Sequence, residues 1–321
     1  MQAVTQDHYG DTDQLRLEEL RRPTVGPRDV LIRVKAAGVD RGTWHLMTGR
    51  PFAVRLGFGL RRPKVRVLGR DVAGVVEAVG SEVTGTSVGD EVMGTARGSF
   101  ADLAVVPESR LVAKPVRASF EEAATLPVSA GTALQAARLA GITEGQRVLV
   151  IGASGGVGSF LVQLAAARGA EVTGVASGSK ADLVRELGAA HVIDYTREEI
   201  GADGSTYDVI VDLAGLRSLR LLRRSLAPRG TLVIAGGEGG DRVLGGAHRQ
   251  LAALALSPFT RQRLTALMSR ETAEVFGEVA RLVDEGTLRA EVERTYPLAD
   301  AAKAIDHLAA GHARGKVAVT V

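Results

Sequence analysis

Residues 145–180 read GQRVLVIGASGGVGSFLVQLAAARGAEVTGVASGSK, and this stretch decides the fold. Arg147–Ile151 is a short apolar run of the length of a buried parallel strand. A glycine turn follows, and then Val157, Phe160, Leu161, Leu164 and Ala165 recur at helical spacing. A second β-rich run, Glu171–Ala176, begins after Gly169. Strand, turn, helix and strand predict a βαβ unit. The turn, Ala153-Ser154-Gly155-Gly156-Val157-Gly158, is the G-x-G-x-x-G fingerprint with alanine at its first position. Gly155 lets the backbone approach a pyrophosphate, and Gly158 lets the helix pack closely on the strand. The N–H groups of Ser154 through Gly158, with the helix dipole behind them, are suited to hold phosphates. A glycine triplet alone is weak evidence; between a strand and a helix it predicts a dinucleotide site.

Beyond this unit the alternation continues. A helix over 181–187 ends at Gly188, and strands are expected at 191–195 and 208–213. A helix over 216–226 is expected to stop at Pro228-Arg229-Gly230, before a strand at 231–235 that ends in Gly236-Gly237. Five strands with intervening helices predict a doubly wound parallel sheet over 123–269. The flanks differ. Short β-rich runs at 30–34, 74–79, 91–93 and 101–106 lie between Gly, Pro and Asp turns, the pattern of a mostly antiparallel, barrel-like domain over 1–122 and 270–321. The first of these runs on into Gly38-Val39-Asp40-Arg41-Gly42-Thr43-Trp44, followed by a basic loop, 50–66. Such a loop is solvated or guides a substrate. Ser119 and Glu122 form a capping-box pattern, a helix over 131–139 leads into the central unit, and the tail alternates helix 273–285, extended 292–296, helix 299–309 and a last strand from Lys316.

Composition narrows the chemistry. The chain has 321 residues, 45% of them hydrophobic, with a net charge of only +3 spread along it, so nucleic-acid binding is not expected. No apolar run approaches the ~20 residues of a membrane span. The start, MQAVTQDHYGDT, is polar. These features predict a cytoplasmic enzyme with no membrane partner. The absence of cysteine removes disulfides, thiolate nucleophiles and sulfur-ligated zinc.

These pieces in this order resemble the medium-chain dehydrogenase/reductase superfamily, and within it the zinc-free quinone oxidoreductase branch. The resemblance spans essentially the whole chain. It is carried by Gly69-Arg70-Asp71-Val72-Ala73-Gly74, Val88-Gly89-Asp90-Glu91-Val92, Leu126-Pro127 to Thr132-Ala133, Gly152 to Gly158, and 309–316 before the final strand. It implies a GroES-like catalytic domain, a Rossmann domain inserted after it, and a C-terminal segment that rejoins the first, with the active site between the two domains. Zinc-dependent members carry a catalytic cysteine where this chain has Asp40, and Gly-His-Glu where it has Gly69-Arg70-Asp71. The six histidines (His8, His45, His191, His248, His307, His312) form no ligand-spaced cluster, and no metal site is expected. The branch commonly has Asn at the position of Asp40 and Asp at that of Thr43, so this chain departs from it at two polar positions that face substrate in the family. Tyr9 matches a cleft-facing position, where its hydroxyl either meets a substrate oxygen or simply packs at the domain edge.

In NAD-binding Rossmann domains an acidic residue ends the second strand and takes the ribose hydroxyls. Here that position is Ser177, with Lys180 three residues on. A hydroxyl and a cation suit a 2′-phosphate, so NADPH is the expected cofactor. By resemblance, Tyr195 lies against the adenosine ribose, Thr132 beside the nicotinamide, and Gly236 and Arg314 near the cofactor. The expectation is an NADPH-dependent reductase of a small-molecule quinone or conjugated carbonyl, with Tyr9, Asp40 and Thr43 as catalytic candidates and a homodimeric assembly. The rivals are a zinc-type alcohol dehydrogenase and a cofactor-binding, redox-sensing protein with little catalysis.

Overall fold

The computed structural model describes residues 1–238, 241–311 and 313–321. His312, one of the histidines considered above, lies outside the described residues. The chain divides into two compact units, Met1–Gly131 with Arg270–Val321, and Thr132–Ser269. The first boundary falls inside the helix Pro127–Ala140, where sequence alone places it at 122/123.

The second unit is a six-stranded parallel sheet in the order His191–Asp194, Glu171–Ala176, Arg147–Ile151, Tyr207–Asp212, Leu226–Ile234, Arg263–Ala266. The chain therefore winds outward from Arg147–Ile151 in one direction and then resumes on its other side. That reversal makes the carboxyl ends of Arg147–Ile151 and Tyr207–Asp212 the switch point where such sheets take ligands. Leu149, Ile151, Ile210, Leu232 and Ile234 are buried in one core, which explains why these strands read as continuous apolar runs. The sixth strand, Arg263–Ala266, extends the sheet beyond the five that the residue pattern gives, at the edge position that the resemblance implies around Leu264 to Met268. The expected helix over 216–226 is shorter, Leu219–Arg224, because Leu226 already pairs with Tyr207 and is buried in the core. Pro228-Arg229-Gly230 then falls within the strand Leu226–Ile234, at a shift in its register with Tyr207–Asp212.

The first unit holds a seven-stranded sheet, antiparallel apart from the pair Val292–Pro297 and Lys316–Thr320, and a two-stranded antiparallel sheet of Gln2–Thr5 with Arg16–Glu19. Its longest strand, Asp29–Val39, is bordered by Asp71–Val79 and by the C-terminal strand Lys316–Thr320. The C-terminal strand is thus part of the same sheet as the N-terminal half. The capping box at Ser119 and Glu122 is formed in both directions at the short helix Phe120–Ala123. One element is not visible in sequence: Arg41–Thr48 is helical, with Asp40 as its cap and Gly49 in the left-handed region (φ 61°) ending it. The strand before it, Asp29–Val39, ends directly at that cap.

Candidate functional site

In the second unit the strand Arg147–Ile151 ends at Gly152, whose φ of +87° turns the chain sharply. The N–H groups of Gly152 and Ala153 both donate to the Val175 carbonyl, which pins the turn to the neighbouring strand. The helix Gly156–Ala167 begins with Gly155 as a cap that has no side chain to satisfy the first N–H groups. Helix geometry leaves the N–H groups of Gly156, Val157 and Gly158 without intrahelical acceptors, so the helix start is a cradle for an anion. The two glycines serve different ends. A Cβ on Gly158 would stand 2.0 Å from the Gly152 carbonyl oxygen, whereas one on Gly155 would meet only that oxygen, at 3.3 Å. Gly158 is needed for helix to touch strand; Gly155 keeps open the surface that a phosphate would approach. Ser154, between them and the strand, is buried.

Around this cradle lie the other cofactor candidates of the same unit. Ser177 ends the strand Glu171–Ala176, its hydroxyl 3.2 Å from that of Ser179, and its carbonyl accepts the Lys180 N–H. The adjacent strand His191–Asp194 contributes Asp194, which a Cβ on Gly178 would strike at 2.5 Å. Its carboxylate is held below the ordinary range, chiefly by hydrogen bonds from Thr196, with Gly178 and Arg197 adding to the effect. Tyr195 is exposed beside it. Gly236 follows the strand Leu226–Ile234, and a Cβ there would meet the Leu213 carbonyl oxygen at 2.1 Å. Thr132 opens this unit on the helix Pro127–Ala140, half-buried. One pair was missed from sequence: Asp212, fully buried at the end of its strand, accepts from the Gly215 N–H at 2.9 Å and from the Arg249 guanidinium at 2.5 Å. The Asp could have been suspected as a polar end to an apolar strand, but nothing near it in sequence points to Arg249.

In the first unit, sheet register gathers a second group. Ala37 pairs with Val72 and Val39 with Val317, so Asp40, Asp71 and Lys316 emerge side by side at one end of three adjacent strands. Gly38 makes this possible, since a Cβ there would come within 2.3 Å of the Ala124 carbonyl oxygen and 3.0 Å of the Asp71 Cβ. Asp40 Oδ1 accepts from the Thr43 backbone N–H at 2.6 Å and the Thr43 hydroxyl at 3.1 Å, while Oδ2 is buried with no hydrogen-bond partner. Asp71 accepts from the Val128 N–H at the start of the helix Pro127–Ala140. Lys316 Nζ donates to Ser129 Oγ at 2.6 Å. Arg70 pairs with Glu271, and Arg110 stands 3.9 Å from the same carboxylate. Burial, with Asp40 beside it, pushes the Asp71 carboxyl well above the ordinary carboxylate range, against the opposing pull of Lys316 and Arg70. Burial likewise lowers the Lys316 ammonium, against the two aspartates.

Asp40 and Thr43 thus come together as one capped pair, but Tyr9 does not join them. Its hydroxyl donates to the Gly59 carbonyl at 2.6 Å, and the Arg55 guanidinium lies 4.5 Å from its ring centroid. Its proton is therefore already used, and a substrate would find only an acceptor there. Arg314 is exposed in the first unit, its N–H donating to Glu293. Among the described residues no group of three His, Asp or Glu side chains is arranged to hold a metal ion.

The alcohol dehydrogenase GroES-like domain family matches residues 26–116, and the zinc-binding dehydrogenase family matches 187–319. A quinone oxidoreductase of Pseudomonas aeruginosa is 32% identical over 96% of this chain and 95% of its own. The 2-methylene-furan-3-one reductase of Solanum lycopersicum is 36% identical over 67% of this chain and 57% of its own. The structure of a quinone oxidoreductase from Coxiella burnetii superposes with a TM-score of 0.87 at 27% identity, covering 100% of this chain and 99% of the other. A chain that holds both a parallel dinucleotide-type sheet and a GroES-like unit is a nicotinamide-dependent oxidoreductase of the medium-chain dehydrogenase/reductase superfamily. Within that superfamily the chain belongs to the quinone oxidoreductase-like branch.

Proposed function

We propose that the protein is an NADPH-dependent, zinc-independent reductase of quinones or α,β-unsaturated carbonyl compounds. The observation that carries this reading is the glycine cradle at the switch point, from Gly152 to Gly158, with Ser177 in place of an acidic residue at the next strand end. The cradle fits a pyrophosphate because Gly155 presents bare backbone at the helix start, and Gly236 does the same after the neighbouring strand. Ser177 and Lys180 are the groups that would take a 2′-phosphate, with Asp194 already committed to Thr196. A bound reduced nicotinamide supplies hydride; the chain's own residues orient the acceptor and manage the proton. Asp40, fixed by Thr43, remains the polar candidate of this reading although it is buried, and Tyr9 offers a lone pair rather than a proton. Zinc independence rests on residue identity: Asp40, Arg70 and Asp71 replace the expected ligands, and Arg70 brings a positive charge paired with Glu271.

The same reading includes a homodimer. The strand Arg263–Ala266 is an edge of the parallel sheet, with Met268 and Phe259 nearly fully exposed around it. The function is tested by NADPH oxidation across a panel of quinones, enones, aldehydes and nitroalkenes. Tight NADPH binding with no turnover of any acceptor would replace this reading with that of a cofactor-binding sensor.

A further inference from the structure

The helix Leu219–Arg224 leads through Ser225 into the strand Leu226–Ile234, and Gln262 immediately precedes the strand Arg263–Ala266. A cavity of about 480 Å3 opens here, against the amino ends of both strands and within the second unit. A volume of this size holds a small ligand. Arg220, Arg223 and Arg224 line it, with Leu219, Leu256 and Pro228 as its apolar wall. Helical spacing puts 219 with 223 and 220 with 224 on one face, while Leu222 turns away and fills the core. None of the three arginines forms an ion pair among the described residues. Arg223 is nevertheless held in place. Its Nε donates to Gln262 Oε1 at 3.1 Å, and the Gln262 amide nitrogen donates to the Arg223 and Leu226 carbonyls at 2.9 and 3.2 Å. That leaves both terminal amino groups of Arg223 for a ligand. The helix dipole accounts for cations in the last turn, where Arg223 and Arg224 stand. It opposes Arg220, which lies in the first turn.

We propose that this cavity binds an organic phosphate, a dianionic head on a small apolar body, at a site separate from the dinucleotide cradle. Three like charges around one cavity repel each other, and an anion from solution relieves them. Planar guanidiniums match the oxygens of a phosphate in pairs, and a dianion with three acceptor oxygens suits three of them better than a single carboxylate does. Leu219, Leu256 and Pro228 give the apolar body a surface to leave water against. The site also stands at the wrong end of the sheet to be part of the cradle. Gly236, which borders the cradle, follows the carboxyl end of the strand Leu226–Ile234, whose nine residues span roughly 25 Å at about 3.3 Å each. The ligand therefore binds in addition to a dinucleotide and not in place of one, which is the position of an effector.

Calorimetric titration of the whole chain with phenyl phosphate, inorganic phosphate and benzoate separates head from body. Phenyl phosphate should bind at least about tenfold tighter than the others, because inorganic phosphate lacks the body and benzoate lacks the second charge. Replacing two exposed residues together, Arg220→Ser with Arg224→Ser, should weaken phenyl phosphate by at least about tenfold, or about 1.4 kcal/mol. The same double variant should keep its Tm within about 2 °C, since neither side chain belongs to the core. Arg223→Lys, which keeps the charge and loses the planar fork, should also bind more weakly. Saturating NADPH should leave the phenyl phosphate affinity within about twofold. Phenyl phosphate that does not bind, or binds no tighter than the two simpler anions, would overturn the proposal. So would an affinity unchanged in the double variant, or binding that NADPH abolishes. None of these measurements needs turnover, so the site is decided whether or not the protein reduces any acceptor.

Discussion

Gly155 and Gly158 stand three residues apart in one turn, yet the structure assigns them separable roles, and a pair of variants tests that. Gly158→Ala places a methyl 2.0 Å from the Gly152 carbonyl oxygen, 2.8 Å from its carbonyl carbon and 2.9 Å from the Ala153 Cα. All three are backbone atoms, so no rotamer change relieves the clash. Restoring an ordinary contact of 3.4 Å means moving the start of the helix Gly156–Ala167 back by roughly 1.4 Å from the strand. Overpacking of this kind costs about 1–3 kcal/mol, and here the upper part of that range applies because the obstacle is rigid. In a unit of this size the loss is worth roughly 5–10 °C in Tm.

Gly155→Val is different. The residue has φ −83° and ψ 176°, an extended conformation open to valine, and its Cβ meets only one oxygen, at 3.3 Å. The fold should hold, with Tm shifted by about 2 °C or less, a surface-sized effect of about 0.5 kcal/mol. The branched side chain would nevertheless occupy the approach to the N–H groups of the cradle, and NADPH binding should be lost. Calorimetry and NADPH fluorescence titration on both variants provide the assay. Equal loss of Tm in the two, or an unchanged titration in Gly155→Val, would show that the assignment of the glycines is wrong.

The other predictions concern charge and assembly. Lys180→Ala should weaken NADPH about tenfold to a hundredfold and leave NADH nearly unchanged, since a charge-assisted hydrogen bond is worth ~1.5–3 kcal/mol; a wild type that prefers NADH in kcat/KM would refute the phosphate assignment. Activity should persist in a strong chelator, and activity lost there and recovered with zinc would refute metal independence. Solution scattering should give twice the chain mass, and replacing Met268 and Phe259 by serine should halve it; a monomer in wild type would leave the exposed edge unexplained. Asp71, with its folded pKa raised, binds more protons folded than unfolded above the ordinary carboxylate pKa. Its contribution to stability is full below that pKa and falls as pH rises toward the raised value. Lys316, with its pKa lowered, acts oppositely: stability rises with pH from the lowered value up to the ordinary lysine pKa. The Tm of Asp71→Asn relative to wild type should therefore climb as pH rises above the ordinary carboxylate range, and a constant difference would contradict the displaced Asp71.

The parallel sheet was legible because its signals are local. Arg147–Ile151 and Glu171–Ala176 are apolar runs between glycines, and their limits in the structure are those expected from sequence. Where a local signal competed with burial, burial won. Leu219–Arg224 could have continued through Leu226 on helical spacing, but Leu226 fills the core beside Tyr207 and takes up strand pairing instead. The helix Arg41–Thr48 was hidden for another reason: Gly42, Thr43 and Trp44 are modest helix formers, and what starts the helix is the Asp40 cap on the Thr43 N–H. A residue weighed only as a substrate contact was also a structural one.

The candidate site was legible by halves for the same physical reason. The phosphate cradle is a property of consecutive residues, so its geometry is encoded where it is read. The group around Asp40 is a property of register. Asp40, Asp71 and Lys316 are separated by 31 and 245 residues along the chain, and only the pairings Ala37 to Val72 and Val39 to Val317 bring them together. No composition or spacing rule reports such a meeting. Asp40 alone looks like an isolated polar substitution, and Lys316 alone looks like a lysine opening a strand. Their burial together converts two ordinary residues into a problem of charge. Asp40 Oδ2 is buried with no hydrogen-bond partner, at the same end of the sheet as Asp71, whose carboxyl burial pushes upward. Thr43 holds the same carboxylate at two points, so what the sequence offers as a substrate contact is first a cap that the fold itself uses.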